Sequence, residues 1–428
     1  MILAQMHPFE QRIEIGPWFN VGQRVGSHDA QSHLIKYKRY VDSERRPYCI
    51  YVHVPFCPSR CEYCALYTFE VKKDIDKTLD EYLDIVKKSI LNHPNASPSY
   101  PPTTVHFGGG TPLFLGIKRF AELTKVLRKT FGDSEKCEWA VETTTSSVSS
   151  EILSVLTELR ILRIHLGIQT LDSEIRKKIK RRETAEKAVE KINFLNSNEF
   201  QPSVDLIIGF DDQTEAGLDA DLQRLYEAGV RMFSICELRC LQPREKNTQK
   251  DQEKIDKNYK LWCLIWNFME RHNLIPIHLG QFGRNSKDNL YYTHPARGED
   301  CISIGPYAHG SAGRMVYGNK LLPDYYAALK ANRSPIDFGV VYSDEIQKIR
   351  ALESQLLAHE VHQEAVNEVR IIYHGGFENI WNFWLENELL LNHEHGKSFK
   401  PSRDGSWYIG NMILQLRQLA EEEGISKA

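Results

Sequence analysis

Between residues 49 and 272, short runs of β-branched and aromatic residues alternate with amphipathic stretches, which restricts the chain to a sheet joined by helical crossovers. Cys49–Val54, Thr103–Phe107, Glu138–Glu142, Arg163–Ile168, Ser203–Ile208 and Met232–Cys236 read as strands. Helical patterns at 78–92, 116–131, 149–159, 184–196 and 214–228 lie between them, and 251–272 follows the last. Repetition of this unit implies parallel strands with right-handed crossovers. The fold class is therefore α/β, and six units suit a partial (β/α)6 barrel, in which chemistry gathers at the carboxyl ends of the strands.

Around this unit the pattern changes. Residues 1–48 are polar and interrupted by Gly16-Pro17, Gly22 and Gly26, which reads as an N-terminal arm before a barrel at 49–282. Residues 283–335 are rich in glycine and aromatics and include Gly305-Pro-Tyr-Ala-His309; from their position they are expected to flank the site, with the arm helping to line or cover it. Residues 336–428 read as a small, mostly helical C-terminal domain with a short hairpin. In 428 residues, one domain of about 250 with appendages fits better than three equal ones.

Charge and cysteine usage narrow the function. Lys and Arg number 54 against 57 Asp and Glu, a formal charge of −3, so no polycation is present to grip a nucleic-acid backbone. The local basic run Lys177, Lys178, Lys180, Arg181 and Arg182 reads as a solvated helix face. The N-terminus lacks the pattern of a signal peptide and no segment reaches about 18 apolar residues, so a cytoplasmic protein without a membrane span is expected. Nine cysteines do not form a disulfide framework in that compartment; Cys137, Cys263 and Cys301, single among apolar residues, read as small buried hydrophobes.

Cys57-Pro-Ser-Arg-Cys61-Glu-Tyr-Cys64 is different, because it follows the first strand as one short loop. Three thiolates there can hold three irons of a 4Fe–4S cluster and leave the fourth without a protein ligand. Zinc is the competitor, but it would want a further Cys or His at regular spacing, and none follows nearby. His53 shares a strand face with Tyr51 and reads as a packed or supporting residue, while Tyr63 either packs in the core or stacks on an adenine. Gly108-Gly-Gly-Thr-Pro112 follows the second strand and offers bare backbone to a polar ligand. Glu142 ends the third strand and Gln169 follows the fourth.

These motifs resemble the radical S-adenosylmethionine (SAM) superfamily, and within it the oxygen-independent coproporphyrinogen III dehydrogenase-like branch. Val105-His-Phe-Gly-Gly-Gly-Thr-Pro112, Val141-Glu142, Leu166-Gly-Ile-Gln169, Ser203-Val-Asp-Leu-Ile-Ile-Gly209 and Gly305-Pro-Tyr-Ala-His309 stand in that branch's order, over roughly residues 49–330. The resemblance implies a radical SAM barrel with Cys57, Cys61 and Cys64 on the cluster. It also implies Tyr51, Gly109 and Glu142 on a first SAM, with His309 near it by a looser match. Reductive cleavage of that SAM would yield a 5′-deoxyadenosyl radical, with electrons from a flavodoxin- or ferredoxin-type donor. A second SAM, as in that branch, would be surrounded by Gly110, Thr111, Gln169, Arg181 and Asp205, with Cys236 nearby.

Three functions are compatible with this resemblance. Porphyrinogen dehydrogenases of the branch carry a further cysteine two residues after the third, where this chain has Leu66. Heme-handling relatives bind heme, for which His272, His278, His294, His359, His362 and His374 are available as axial ligands. Class C radical SAM methyltransferases move a SAM-derived methyl or methylene group to an sp2 carbon and need no such cysteine. The reading from sequence is the third, with an aromatic or tetrapyrrole acceptor, and heme-linked chemistry or binding is the alternative.

Overall fold

The computed structural model describes residues 9, 12, 22–44, 46–97, 99–181, 183–238, 249–393 and 397–422. Six parallel strands lie where the sequence pattern places them: β1 (Tyr48–Val54), β2 (Thr104–Gly109), β3 (Glu138–Thr143), β4 (Arg163–Gln169), β5 (Gln201–Ile208) and β6 (Met232–Glu237). Each pairs in parallel with the next, so β1 to β6 run in chain order across the sheet. Three of the crossover helices start at side-chain caps that the sequence supplies. Ser149, Thr184 and Thr214 accept from the amides of Ile152, Lys187 and Gly217, each cap worth about 1 kcal/mol.

The sheet is larger than six units. Among the described residues it has 13 strands, and Asp300–Ile304 pairs in parallel with the outer edge of β1, so Cys301 lies opposite Cys49 and Ser303 opposite Tyr51. Antiparallel strands His309–Ala312, Met315–Asn319 and Ile336–Val341 extend that edge. On the other side Gln281–Gly283 and Ile275–His278 follow β6. Loss of the strand–helix alternation after residue 282 thus marks a change from crossovers to hairpins, not the end of the sheet.

Two of the expected boundaries shift accordingly. The N-terminal arm contributes an edge strand, Gln23–Gly26, and the helix Ser27–Glu44, whose Ala30 and Leu34 are buried against Ala312, Met315 and Tyr317. Gly16-Pro17 lies outside the described residues. Ile336–Val341, assigned by sequence to the C-terminal domain, belongs to the large sheet, because its backbone pairs antiparallel with Met315–Asn319 on one edge and Gln23–Gly26 on the other. The remaining C-terminal part packs helices Asp344–Leu357, Gln363–Glu386 and Ile409–Glu422 with a small sheet that includes the hairpin of Leu390–His393 and Ser398–Pro401. It joins the barrel through helix Gln249–Arg271, where Tyr259 donates to Asp404 at 2.8 Å and the Trp262 indole to the Arg403 carbonyl at 3.1 Å. Among the described residues no helix is long and apolar enough to cross a membrane.

Candidate active site

The carboxyl ends of β1 to β5 carry nearly every residue singled out from sequence. After β1 the chain makes a two-residue strand, Phe56–Cys57, paired with Phe69–Glu70, and this clasp closes the cysteine loop between them. Phe69 donates its amide to the Pro55 carbonyl at 2.7 Å and Val71 to that of Cys57 at 3.2 Å. Burial pushes the Cys57 thiol up while a hydrogen bond from Thr111 to its sulfur, 3.7 Å long, opposes this. The three loop sulfurs are partly exposed. They do not gather within 4.8 Å of one another as ligands of a single ion would. Three thiolates on one short loop suit a cluster with iron and sulfide between them.

Gly108, Gly109 and Gly110 form a cradle beside the loop because no side chain fits at any of the three. A Cβ at Gly108 would stand 2.8 Å from Glu142 Oε2, and one at Gly110 would stand 2.5 Å from the Phe56 carbonyl oxygen and 3.0 Å from Cys57 Sγ. Gly109 has φ +106°, a left-handed conformation that glycine adopts without strain. Its amide donates to Glu142 Oε2 at 3.2 Å, and His106 Nε2 holds Oε1 at 2.8 Å. The carboxylate is thus clamped through one bond to each oxygen while a quarter of its side chain stays open to solvent. Such a preoriented anion suits a ligand ammonium.

Opposite this clamp stands Arg181, and its placement was not legible in the basic run. Asp172 caps the short helix Ser173–Lys178 by accepting from the amides of Glu174 and Ile175. Arg176 anchors the turn beyond it, donating to the carbonyls of Ile168, Thr170 and Glu183. Lys180 then takes φ 60°, which turns the next residue inward. Lys177, Lys178 and Lys180 remain on the exposed face, paired with Glu174, Asp212 and Glu62. Arg181 instead donates to the Tyr63 hydroxyl at 2.7 Å, and its Nε is buried with no hydrogen-bond partner. Arg182 lies outside the described residues.

Gly167 leaves the room that Arg181 and Gln169 occupy, since a Cβ there would come within 3.0 Å of Arg181 Nη2 and 2.8 Å of Gln169 Nε2. Gln169 itself has φ 71° at a register shift between β4 and β5. Tyr63 packs its ring against Ile175, Ile179, Ile207 and Phe210. Asp205 on β5 faces the same space, opposite Gly167 and Ser234. Cys236, further along β6, is exposed. His309 lies on the far side of β1 and meets Tyr307 edge-on, Tyr307 lies tilted against Tyr67, and the Tyr67 carbonyl bonds His53 at 3.0 Å. Gln169, Arg181 and Asp205 thus gather around Gly167, Gly110 and Thr111 lie against Cys57, Cys236 lies near Tyr292 on the β6 side, and His309 lies beyond the outer edge of β1.

Burial and the nearby Glu142 carboxylate raise the Asp205 carboxyl to about 7, against the opposing Ser234 bond and the Arg181 charge. A raised acid contributes stability that is fully present below its unfolded value near 4 and lost as pH climbs through about 7. Asp205→Asn is therefore expected to raise unfolding free energy at pH 8 by about 1–2 kcal/mol, a figure reduced from the full shift because the residue keeps some solvent contact. The gain should shrink toward pH 5. Urea unfolding at both pH values checks this, and an equal gain at both would contradict a natively protonated carboxyl.

The floor of the site is aromatic, and sequence reasoning located it only by segment. Tyr291 stacks on His106 at 4.3 Å and on Tyr51 at 5.3 Å, and Tyr292 meets His106 edge-on at 5.9 Å. The Tyr51 hydroxyl also bonds His53 Nδ1 at 3.1 Å. His106 and His165 lie on β2 and β4 with their rings 5.2 Å apart, and the buried His106 Nδ1 and His165 Nε2 have no hydrogen-bond partner. Orphaned polar atoms at this depth mark a place where a polar ligand gains more than an apolar one. Of the N-terminal segment, Arg12 pairs with Glu237 at the end of β6 and lies over Trp407, while Phe9 packs on Phe383 and Tyr408 of the C-terminal part.

The six histidines considered as axial ligands separate by environment. His359 is buried with both ring nitrogens engaged, by the Leu279 carbonyl and Ser406. His272 stacks between Tyr226 and Phe268, and His362 is exposed at a helix start. His278 packs near Tyr292, and burial pushes it down to about 3, so its imidazole is neutral. His294 bonds the Tyr291 carbonyl, and the His374 side chain lies outside the described residues.

Comparison with known proteins agrees with this arrangement. Residues 51–225 match the family model of the radical SAM superfamily. The oxygen-independent coproporphyrinogen III oxidase of Helicobacter pylori (strain ATCC 700392 / 26695) is 25% identical over 407 residues, 86% of this chain and 85% of that protein. The heme chaperone HemW of Bacillus subtilis (strain 168) is 25% identical over 279 residues, 61% of this chain and 70% of the relative. The structure of coproporphyrinogen III oxidase (HemN) from Escherichia coli superposes with a TM-score of 0.76 at 17% identity, covering 95% of this chain and 99% of that one, which establishes a common fold. Together with the cysteine loop and the glycine cradle, these matches make the chain similar to the radical SAM superfamily over residues 51–225 and to its HemN- and HemW-like members over most of its length, a similarity that implies a 4Fe–4S cluster and SAM as cofactors.

Proposed function

We propose that this radical SAM enzyme acts on a tetrapyrrole of the heme series. The observation that carries the reading is the site's division into a SAM-sized polar cradle, Gly108–Thr111 with the clamped Glu142, and an aromatic floor of Tyr51, His106, Tyr291 and Tyr292 beside it. The similarity to a coproporphyrinogen III oxidase over most of both chains, and to a heme chaperone, supports a tetrapyrrole as the molecule placed on that floor. A flat macrocycle stacks on such rings, and its carboxylates could reach the unsatisfied Arg181 Nε.

Cys57, Cys61 and Cys64 would hold the cluster, which supplies the electron that cleaves SAM when bound. The chain's own residues then have separable tasks. Glu142, fixed by His106 and the Gly109 amide, would orient the SAM ammonium, and the glycines let the cradle backbone approach closely. Tyr291 and Tyr292 would keep water from the reacting carbon. Gln169, Arg181 and Asp205 form a second polar wall, suited either to a second SAM or to substrate carboxylates.

Methyl transfer to an sp2 carbon, the reading from sequence, is supported less well, because the relatives described above are named for tetrapyrrole oxidation and heme handling. One observation keeps it as a second reading: Leu66, half exposed beside the cysteine loop, stands where the dehydrogenases have a cysteine. Anaerobic turnover of reconstituted protein with methyl-labelled SAM separates the two, using coproporphyrinogen III and heme in parallel arms. Tetrapyrrole-dependent 5′-deoxyadenosine with an altered tetrapyrrole mass is expected, and label in the product would select methyl transfer. Neither coupled 5′-deoxyadenosine nor a spectral shift on adding tetrapyrrole would sink the proposal. Arg181→Ala should lower tetrapyrrole-dependent turnover by about 10–100-fold through loss of a charged hydrogen bond, while slow uncoupled 5′-deoxyadenosine formation persists.

A further inference from the structure

Below the aromatic floor, at the start of β1 and away from the cysteine loop, three soft donors converge. Cys49 and Cys301 are register partners in adjacent parallel strands, and both are buried. His294 follows the turn Leu290–Thr293. One ligand atom from each of these residues lies within 4.8 Å of the other two, and among the described residues no other group of His, Cys, Asp or Glu meets that criterion. The sequence reads Cys301 as a lone buried hydrophobe, but here it faces a second thiol and an imidazole. His294 Nδ1 is engaged by the Tyr291 carbonyl, which orients the ring.

We propose that Cys49, Cys301 and His294 form a structural site for zinc(II), separate from the cluster-binding loop. Two sulfurs and one imidazole nitrogen are the donor set that zinc takes over the harder magnesium and calcium ions, and a water can complete four-coordination. Two thiolates neutralise the divalent charge, so the loaded site can stay buried. Each thiol releases its proton to solvent as its sulfur binds the ion, without change of oxidation state. The ion would join β1, strand Asp300–Ile304 and the 290–294 turn. His294 stacks on Tyr291 at 5.7 Å, and Tyr291 stacks on Tyr51 and His106, so the site would brace the floor on which substrate rests.

The test uses the full chain with Cys57, Cys61 and Cys64 replaced by Ser, which removes the cluster, and cobalt(II) as a spectroscopic probe. About one equivalent of cobalt is expected to bind with intense thiolate charge-transfer absorbance in the near ultraviolet, to be displaced by zinc, and to be lost on adding Cys301→Ser or His294→Ala. In the unmutated chain, Cys301→Ala should lower zinc content from about one per chain to near zero while iron content holds. Folded protein, checked by circular dichroism, that takes up no cobalt and retains no zinc would overturn the proposal. So would uptake that survives Cys301→Ser, or a Cys49–Cys301 disulfide found by mass spectrometry in the chain as isolated.

Discussion

Replacing any one of Cys57, Cys61 or Cys64 with Ala is expected to abolish the visible absorbance of the reconstituted cluster and, with it, all reductive cleavage of SAM. The effect should be total because the loop has no substitute ligand. Its sulfurs are held by the Phe56–Cys57 and Phe69–Glu70 clasp, and Cys49 and Cys301 are buried beneath the floor. Cys137 and Cys263, both packed against the hydrophobic core, serve as controls: their replacement with Ala should leave iron content unchanged. Iron and sulfide analysis with 5′-deoxyadenosine quantitation decides the matter, and a loop variant with unchanged iron would remove the basis for the cluster assignment.

The second large effect belongs to Glu142. Its two oxygens are held by His106 at 2.8 Å and by the Gly109 amide at 3.2 Å, so the carboxylate meets a ligand without first losing freedom of rotation. Glu142→Ala should weaken SAM binding by about 2–3 kcal/mol, on the order of 30- to 150-fold in Kd, the cost of a lost charge-assisted hydrogen bond. Glu142→Gln keeps the shape and one acceptor but loses the charge, so it should fall between. Calorimetric titration of reconstituted protein with SAM measures both, and an unchanged Kd for the Ala variant would show that Glu142 shapes the cradle without touching SAM.

Much of this site could be read from the chain because its parts are local. The cysteine loop, the glycine run and Glu142 each follow a strand whose alternation is visible over a few residues, and the ends of parallel strands lie together in any such fold. Arg181 shows the limit. In sequence it is one of five basic residues, and only the left-handed turn at Lys180 separates it from its exposed neighbours. Tyr291 and Tyr292 were legible as part of an aromatic-rich stretch but not as a floor, since nothing near them announces that their segment returns beneath β1. The extended hairpin edge of the sheet was missed for the same reason.

By itself the sequence determined the six parallel units, the cysteine loop and the glycine cradle, because strand and helix periodicities and motif spacings act over short range. Only the tertiary structure decided which strand lies outside β1. That pairing sets Cys301 against Cys49, brings His294 to both and puts Tyr291 under Tyr51. Its physical basis is non-local: a strand finds its neighbour through backbone hydrogen bonds and burial shared across the whole sheet, and neither leaves a periodic trace in the residues that make the contact.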